Sequence, residues 1–259
     1  MGQKITIIAG VTTIKRPTLF YSAGLITLLI LVPVSRASAD QNYSVSGRDS
    51  YQIGLHGMRT DIAYSGKQHL TISKSGKTTR FAARVHYDRI DEGGRMPATA
   101  AFDSVLNPSG DMRDERNRDP DYLTVLNQPF SVQLDLPTLR DLSHLRGRIP
   151  FDLPSRMTGS PLHGFLRKDI DARIGGRSAV GVTFEASGQM LGPLPDRPDM
   201  SLRGSIRMTG SAFYQTQTAL LMALEATLQI SGTLVATTKR TPVTIVYKRN
   251  IRADSSSRH

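Results

Sequence analysis

The sequence contains no cysteine and no tryptophan among its 259 residues, and aromatic residues make up only 6% of it. Without cysteine the chain can form neither disulfides nor thiolate metal sites. Long hydrophobic runs are also missing after the first forty residues, which predicts that the mature chain has no transmembrane segment. Its 39% hydrophobic and 21% charged residues are the balance of a folded domain rather than of a disordered chain.

The N-terminus has the features of a secretory signal peptide. Its head carries three basic residues and no acidic one, and an uncharged, mostly apolar stretch follows at 17–34. Small residues at Ala37 and Ala39 match the Ala-x-Ala pattern that precedes a cleavage site. We therefore predict that 1–39 is a signal peptide cleaved before Asp40, and that the protein is periplasmic or extracellular. An uncleaved anchor is the alternative, because the apolar stretch is nearly long enough to span a bilayer.

Basic residues outnumber acidic ones, which gives the chain a formal net charge of +11. The predicted signal peptide holds four of the 33 basic residues and none of the 22 acidic ones, so the mature chain has a formal net charge of +7. Nucleic-acid-binding surfaces usually add aromatic side chains for stacking, and here aromatics are few. We expect no nucleic-acid partner. An anionic envelope surface is the more natural partner for this charge, and the alternative is that the charge serves only to keep the protein soluble.

Apolar and polar residues alternate through much of the mature chain, which is the pattern of strands with one buried face. The clearest stretches are 180–186, 202–214, 220–230 and 243–251. Consecutive strands of this kind predict an antiparallel meander, because buried parallel strands would be apolar on both faces. The segment 219–228 is rich in helix formers, but its alternation from Leu224 onward favours a strand. The predicted fold is all-β, an antiparallel meander that curls into a sandwich or a flattened barrel or half-barrel, with one short helix and irregular connections.

We predict a single β-rich domain at 40–259. Its N-terminal half contains shorter predicted strands at 43–46, 51–55, 61–64, 68–73 and 79–90. A two-residue hairpin turn at Ser75-Gly76 would pair Leu70 with Phe81, because glycine readily takes the positive φ that such turns need. In this hairpin we expect Leu70, Ile72 and Phe81 to share one apolar face.

The middle of the chain is less regular. We predict a polar mixed-charge loop at 107–121 and a short strand at 130–136. The one helix follows at 137–145, and an irregular connection at 150–164. Arginines interleave with the acids of the polar loop, which argues against a calcium site there. The segments 68–90 and 226–251 resemble each other, which raises the hypothesis of a repeated hairpin. Two unrelated amphipathic hairpins are the alternative.

No motif of an established catalytic or cofactor-binding type is present. The histidines fall in no metal-ligand spacing, and the sequence has neither a nucleophile elbow nor a phosphate-binding glycine loop. We therefore predict no catalytic, metal-binding or cofactor-binding residue and no cofactor. The nearest catalytic constellation places Asp141, Ser143 and His144 on the predicted helix, with Ser160 and His163 after it.

The leading functional hypothesis is an exported, non-enzymatic envelope protein that binds an apolar or amphiphilic ligand in a cupped β-sheet. It rests on small inward-facing residues that would leave room for a ligand, namely Gly204, Gly210, Ala212 and Ala226. One alternative is a hydrolase that uses the Asp/Ser/His cluster at 141–163. Another is a structural or adhesive surface protein with a basic face, formed by the arginine-rich stretch 146–177 and by Lys239, Arg240, Lys248, Arg249 and Arg252.

Overall fold

The computed structural model describes residues 38–75, 77–106, 112–127, 136–144, 147–153, 160–194, 197–236 and 239–254, together with residues 130, 134, 155 and 158. Within these residues the chain forms eleven strands and one helix. Their bounds are β1 Ser38–Ile53, β2 Arg59–Ser75, β3 Thr78–Asp91, β4 Gly94–Leu106, β5 Met112–Arg118, α1 Leu136–His144, β6 Arg148–Leu153, β7 Leu162–Ile174, β8 Arg177–Leu194, β9 Arg197–Gln215, β10 Leu221–Ala236 and β11 Lys239–Ala253.

All eleven strands belong to one antiparallel sheet in the order β5-β4-β3-β2-β1-β11-β10-β9-β8-β7-β6. The first and last strands of the chain, β1 and β11, pair at its centre. The sheet is not closed, and β5 and β6 form its two edges. The prediction of an all-β, antiparallel fold with one short helix is thus confirmed.

Two strands are longer than the sequence predicts, because the glycines that interrupt their patterns do not form turns. The predicted strands on either side of Gly47 merge into β1, and those on either side of Gly66 merge into β2. A Cβ atom on Gly66 would lie 2.7 Å from the Tyr87 Cα of the neighbouring strand. These glycines therefore mark places where strands approach closely, which is a known use of glycine inside a sheet.

The β2–β3 hairpin differs from its predicted register by two residues. Leu70 pairs with Ala83 and Ile72 pairs with Phe81, because the tight turn joins Ser75 to Thr78. A shift of two residues keeps every side chain on its own face of the sheet. The prediction that Leu70, Ile72 and Phe81 share an apolar face is therefore confirmed, although the pairing predicted within it is wrong.

The middle of the chain contains four strands, β4 to β7, that were not predicted from the sequence. Residues 112–118 of the predicted loop 107–121 form β5, and the start of that loop lies outside the described residues. Of the predicted strand 130–136, residues 131–133 and 135 lie outside the described residues; Phe130 lies in a turn, Leu134 belongs to no strand and α1 begins at Leu136. The irregular connection at 150–164 includes most of β6. Two of these strands, β5 and β6, are the edges of the sheet, where charges and a proline such as Pro150 are tolerated.

The second half of the chain follows its prediction closely. The segment 219–228 enters strand β10, and β8 to β11 form the predicted meander. The segments 68–90 and 226–251 lie in the hairpins β2–β3 and β10–β11, which flank β1 on either side. Whether they are a sequence repeat stays a prediction.

The sheet curls so that strands far apart in its order come into contact. The Arg177 guanidinium at the start of β8 donates to the Gln41 Oε1 of β1 at 3.2 Å, although three strands separate them in the sheet. The Tyr43 hydroxyl of β1 donates to the Leu221 carbonyl of β10 at 3.0 Å. These contacts define a concave inner face and a convex outer face.

The segment between β5 and β6, called the connector below, comprises residues 119–147. Because β5 and β6 are opposite edges of the sheet, the connector must cross one of its faces. Seven of its apolar side chains are at most 6% exposed and belong to the same hydrophobic cluster as the inner face, namely Leu123, Val125, Leu126, Phe130, Leu134, Leu139 and Leu142. The described residues of the connector therefore pack against the concave face.

We predict that Gly204→Ala destabilises the fold by about 1–3 kcal/mol, because its methyl group would enter the backbone of β10. A Cβ atom there would lie 2.7 Å from the Gly232 Cα. Gly147→Ala is the control, since nothing lies within 4 Å of a Cβ at that position. Urea denaturation measures both free energies of unfolding, and equal values for the two variants would contradict the prediction.

Candidate functional site

The predicted signal-cleavage residues lie at the start of the first strand. Ala37 is outside the described residues, whereas Ala39 and Asp40 belong to β1 and pair with Ile72 and Thr71 of β2. The predicted cleavage site thus coincides with the beginning of the sheet.

The residues of the hydrolase alternative are only partly described. Asp141 is exposed on α1, and the side chains of Ser143 and His144 lie outside the described residues. The exposed His163 forms its hydrogen bond with Asp152 of β6, with 2.6 Å between Nδ1 and Oδ1. In the described part of the chain, the carboxylate beside His163 is therefore that of Asp152, which is not among the named residues of the predicted cluster.

Arg249 is the largest fully buried side chain in the described residues, although the sequence analysis assigned it to a basic surface. That assignment is wrong because Arg249 follows the period of β11 and faces inward with Tyr247 and Ile251. Arg249 interrupts the apolar alternation of 243–251 in the sequence, but in the structure it lies on the inner face like its apolar neighbours in that alternation.

The Arg249 guanidinium joins the two central strands to the connector. Nη1 donates to the Asp49 carboxylate of β1 at 2.5 Å, and Nη2 donates to the Asp121 carbonyl at 2.7 Å. Nε donates to the Tyr122 carbonyl at 3.3 Å. The guanidinium carbon also lies 4.9 Å from the centre of the Phe130 ring. These contacts satisfy most of the donors of a charge that burial would otherwise make very costly.

Tyrosine hydroxyls complete the polar network around this ion pair. The Tyr64 hydroxyl lies 3.0 Å from the Asp49 carboxylate and 3.1 Å from the Asp121 carboxylate. Burial raises the pKa of Asp49, and the Arg249 guanidinium opposes that shift. Burial also raises the pKa of Tyr247 to about 12, so this phenol stays protonated near neutral pH. The network therefore connects the two central strands to the connector and does not form a site that is open to substrate.

The small inward residues do not leave a space for a ligand, so that part of the sequence argument is wrong. A Cβ atom on Gly210 would lie 2.5 Å from the Phe184 ring, and one on Gly204 would lie 2.7 Å from the Gly232 Cα. Ala212 and Ala226 are buried at 0% and 2% exposure and belong to the packed core, to which the connector also contributes. The small residues let strands and rings approach closely.

An apolar cleft lies instead on the outer face, and a β-bulge creates it. The pairing of β7 with β8 shifts by one residue between Lys168 and Ile170. Before the bulge, Leu166 faces the core; after it, Ile170, Ala172 and Ile174 face outward, because one extra residue reverses the faces of a strand. Without the bulge the sequence pattern would place all of these side chains inside.

The cleft has a volume of about 390 Å³ and spans the outer face from β7 to β11. A Cβ atom on Gly181 would meet both the Phe213 ring and Ile170, at 2.9 and 3.0 Å, so Gly181 leaves room for these two side chains above β8. A second bulge, at Met222 of β10, also borders the cleft. The apolar lining residues are Ala172, Ile174, Phe213, Met222, Ala223, Leu224 and Ala253, and the polar ones are Ser211, Glu225, Asn250 and Arg252.

The cleft cannot be predicted from the sequence pattern alone. The alternation of Ile170, Ala172 and Ile174 is visible in the sequence, but the face to which these residues point depends on the bulge.

Among the described residues, no group of three or more histidines and acids is arranged to hold a metal ion. In the same residues no helix has the length and hydrophobicity needed to cross a membrane.

The sequence matches no family model and no curated protein. Among solved structures, the chain is similar to lipovitellin, in a structure titled for its lipid–protein interactions, with 10% identity over 83% of this chain and a TM-score of 0.39. The match covers 25% of the lipovitellin chain. DynF, from the dynemicin biosynthesis pathway of Micromonospora chersina, matches with 9% identity over 83% of this chain and 80% of its own, at a TM-score of 0.22. With TM-scores this low, neither likeness bears on function.

We predict that Arg249→Met destabilises the protein by about 3–5 kcal/mol, because it leaves the Asp49 carboxylate buried without a partner. The double variant with Asp49→Leu should recover part of this loss, since no unpaired charge remains. Lys248→Met, at the exposed neighbouring position of the same strand, is the control and should change little. Chemical denaturation measures all three, and a double variant less stable than Arg249→Met would contradict the prediction.

Proposed function

We propose that this chain is an exported, non-enzymatic envelope protein that binds an amphiphilic molecule on the outer face of its curled sheet. The apolar cleft beside Ile174 and Phe213 is the observation that carries the proposal. Its volume of about 390 Å³ lies within the range of small-molecule sites, which are mostly apolar with a few polar groups. The packing of the connector against the inner face supports this location over the interior of the cup.

The two sides of the cleft differ in polarity, which favours an amphiphile over a purely apolar ligand. The β7 and β9 side presents Ile174 and the Phe213 ring, whereas the β11 side presents Asn250 and the exposed Arg252. Neighbouring strands lie about 4.8 Å apart, so β7 and β11 are separated by roughly 19 Å across the sheet. An apolar tail would lie over Phe213, and an anionic head would pair with Arg252.

Export is supported by the sequence of the first 39 residues, with its basic head, apolar stretch and Ala-x-Ala pattern. The absence of cysteine is compatible with an oxidising compartment, because no thiol is present to be oxidised there. The packed β core and the buried ion pair would provide stability without disulfides.

We predict that the purified protein binds a dansylated fatty acid, and that Ile174→Asp weakens this binding at least about tenfold by placing a charge in the cleft. Ala223→Trp should weaken it similarly by filling the space. Phe165→Ser is the matched control, because Phe165 is also an outer-face aromatic residue but lies outside this cleft. Fluorescence titration measures the affinities, and circular dichroism checks the fold of each variant.

The head and tail contributions can be separated with Arg252→Ala. This change should weaken binding of the fatty acid but leave binding of its uncharged methyl ester unchanged. Absence of binding by the unaltered protein, or equal binding by the Ile174→Asp and Phe165→Ser variants, would refute the cleft as the site.

We also predict that the exported protein begins at Asp40. N-terminal sequencing of protein recovered from cells tests this directly. Ala37→Leu should leave the leader attached, because the peptidase pocket accepts only small side chains at this position. A native protein that retains residues 1–39 would instead support the uncleaved anchor.

A further inference from the structure

We propose that the outer face of strands β6 to β9 binds an acidic sugar chain. The site, called the Phe165 patch below, consists of Phe165, Arg148, Arg167, Glu185 and Arg207. It lies on a different part of the outer face from the apolar cleft, and the two sets of lining residues do not overlap.

Pairing of neighbouring strands assembles the patch from four separate parts of the sequence. Arg148 of β6 lies directly opposite Arg167 of β7, and Phe165 lies directly opposite Glu185 of β8. Arg207 of β9 reaches the same carboxylate from the other side. The sheet thus surrounds one exposed aromatic ring with three guanidinium groups.

The charges of the patch are not balanced within the chain. Glu185 is shared, with Oε1 3.5 Å from Arg148 Nη1 and Oε2 3.8 Å from Arg207 Nη2. In the described residues no carboxylate lies within ion-pair distance of Arg167. Arg148 and Arg167 lie directly opposite each other on neighbouring strands. Like charges in such a pair repel each other and destabilise the pairing. An anionic group bound between these two arginines would relieve that repulsion and accept hydrogen bonds from both.

Phe165 provides a flat apolar surface in the middle of these charges. Its side chain is 45% exposed, and clefts of about 230 and 380 Å³ lie on its two sides. The Phe165 ring lines both clefts, as does Glu185. A pyranose ring has a face made of C–H groups, which the negative face of an aromatic ring attracts. A chain that runs from one cleft into the other would place a sugar over Phe165.

The acids in and beside the patch favour a ligand that carries hydroxyl groups as well as negative charge, because ionised carboxylates are hydrogen-bond acceptors. Glu185 lies at its centre, and the Asp152–His163 pair lies beside it, with His163 lining the larger cleft. Carboxylates repel phosphates but accept hydrogen bonds from hydroxyl groups. A sugar acid supplies both kinds of group, since its carboxylate suits the arginines and its hydroxyls suit the acids.

Calorimetric titration with polygalacturonate tests the proposal, with neutral dextran and phosphatidylglycerol vesicles as comparisons. The protein should bind polygalacturonate with an affinity that falls as salt is added, and should not bind dextran. Arg167→Gln should weaken binding about tenfold and flatten its salt dependence. Phe165→Ala should weaken it by a similar factor with its salt dependence unchanged, because the lost contact is apolar. Arg84→Gln, an exposed outer-face arginine on β3, is the control and should bind normally.

Three outcomes would overturn the proposal. They are no binding of polygalacturonate, equal binding by the Arg167→Gln and Arg84→Gln variants, and binding of vesicles alone, which would assign the patch to a lipid surface. Ile174→Asp, which tests the amphiphile cleft, should leave polygalacturonate binding unchanged. The two proposals can therefore fail independently.

Discussion

The ion pair between Arg249 and Asp49 is the interaction on which the rest of the structure depends. It joins the last strand to the first at the centre of the sheet, and the same guanidinium holds two carbonyls of the connector. A buried pair of this kind is weak evidence for stability in itself, but breaking one half of it is very costly. Its structural effect is to attach the start of the connector to the central strands through the Asp121 and Tyr122 carbonyls. The buried tyrosine hydroxyls then fix the carboxylates in turn.

The connector has a consequence for function that extends over the whole sheet. Consecutive strands at opposite edges force the chain across one face, and the leucines of the connector bury themselves against the concave side. The inner face is thereby used for stability. The two proposed binding surfaces lie on the outer face, where a bulge at Lys168–Ile170 exposes apolar side chains and strand pairing gathers arginines around Phe165. A bulge is a small change in the chain with a large effect, since every later side chain of the strand changes sides.

Much of the fold could be predicted, and the errors have definite physical causes. Alternation identified β8 to β11 and the apolar face of the β2–β3 hairpin, because side-chain direction follows a period of two whatever the exact register. The edge strands β5 and β6 were missed because edges carry charges and proline, which resemble loop composition. Gly204 and Gly210 were taken as space for a ligand, whereas they are positions where neighbouring groups approach too closely for a side chain. The leader was read from local composition, and its cleavage stays a prediction.

The sequence by itself determined that the chain is built of antiparallel strands, each with one face towards solvent. It also determined that a single short helix interrupts these strands and that no disulfide stabilises them. These properties depend on residue type and on spacing over a few positions. Only the tertiary structure decided that Arg249 is buried, that Ile170, Ala172 and Ile174 face outward, and that Arg148 lies opposite Arg167. Each of these depends on strand register or on contacts between residues far apart in the chain. The residue pattern along a single strand specifies neither the register nor these distant contacts. A charged residue at a given position of the alternation has the same spacing whether it is buried or exposed.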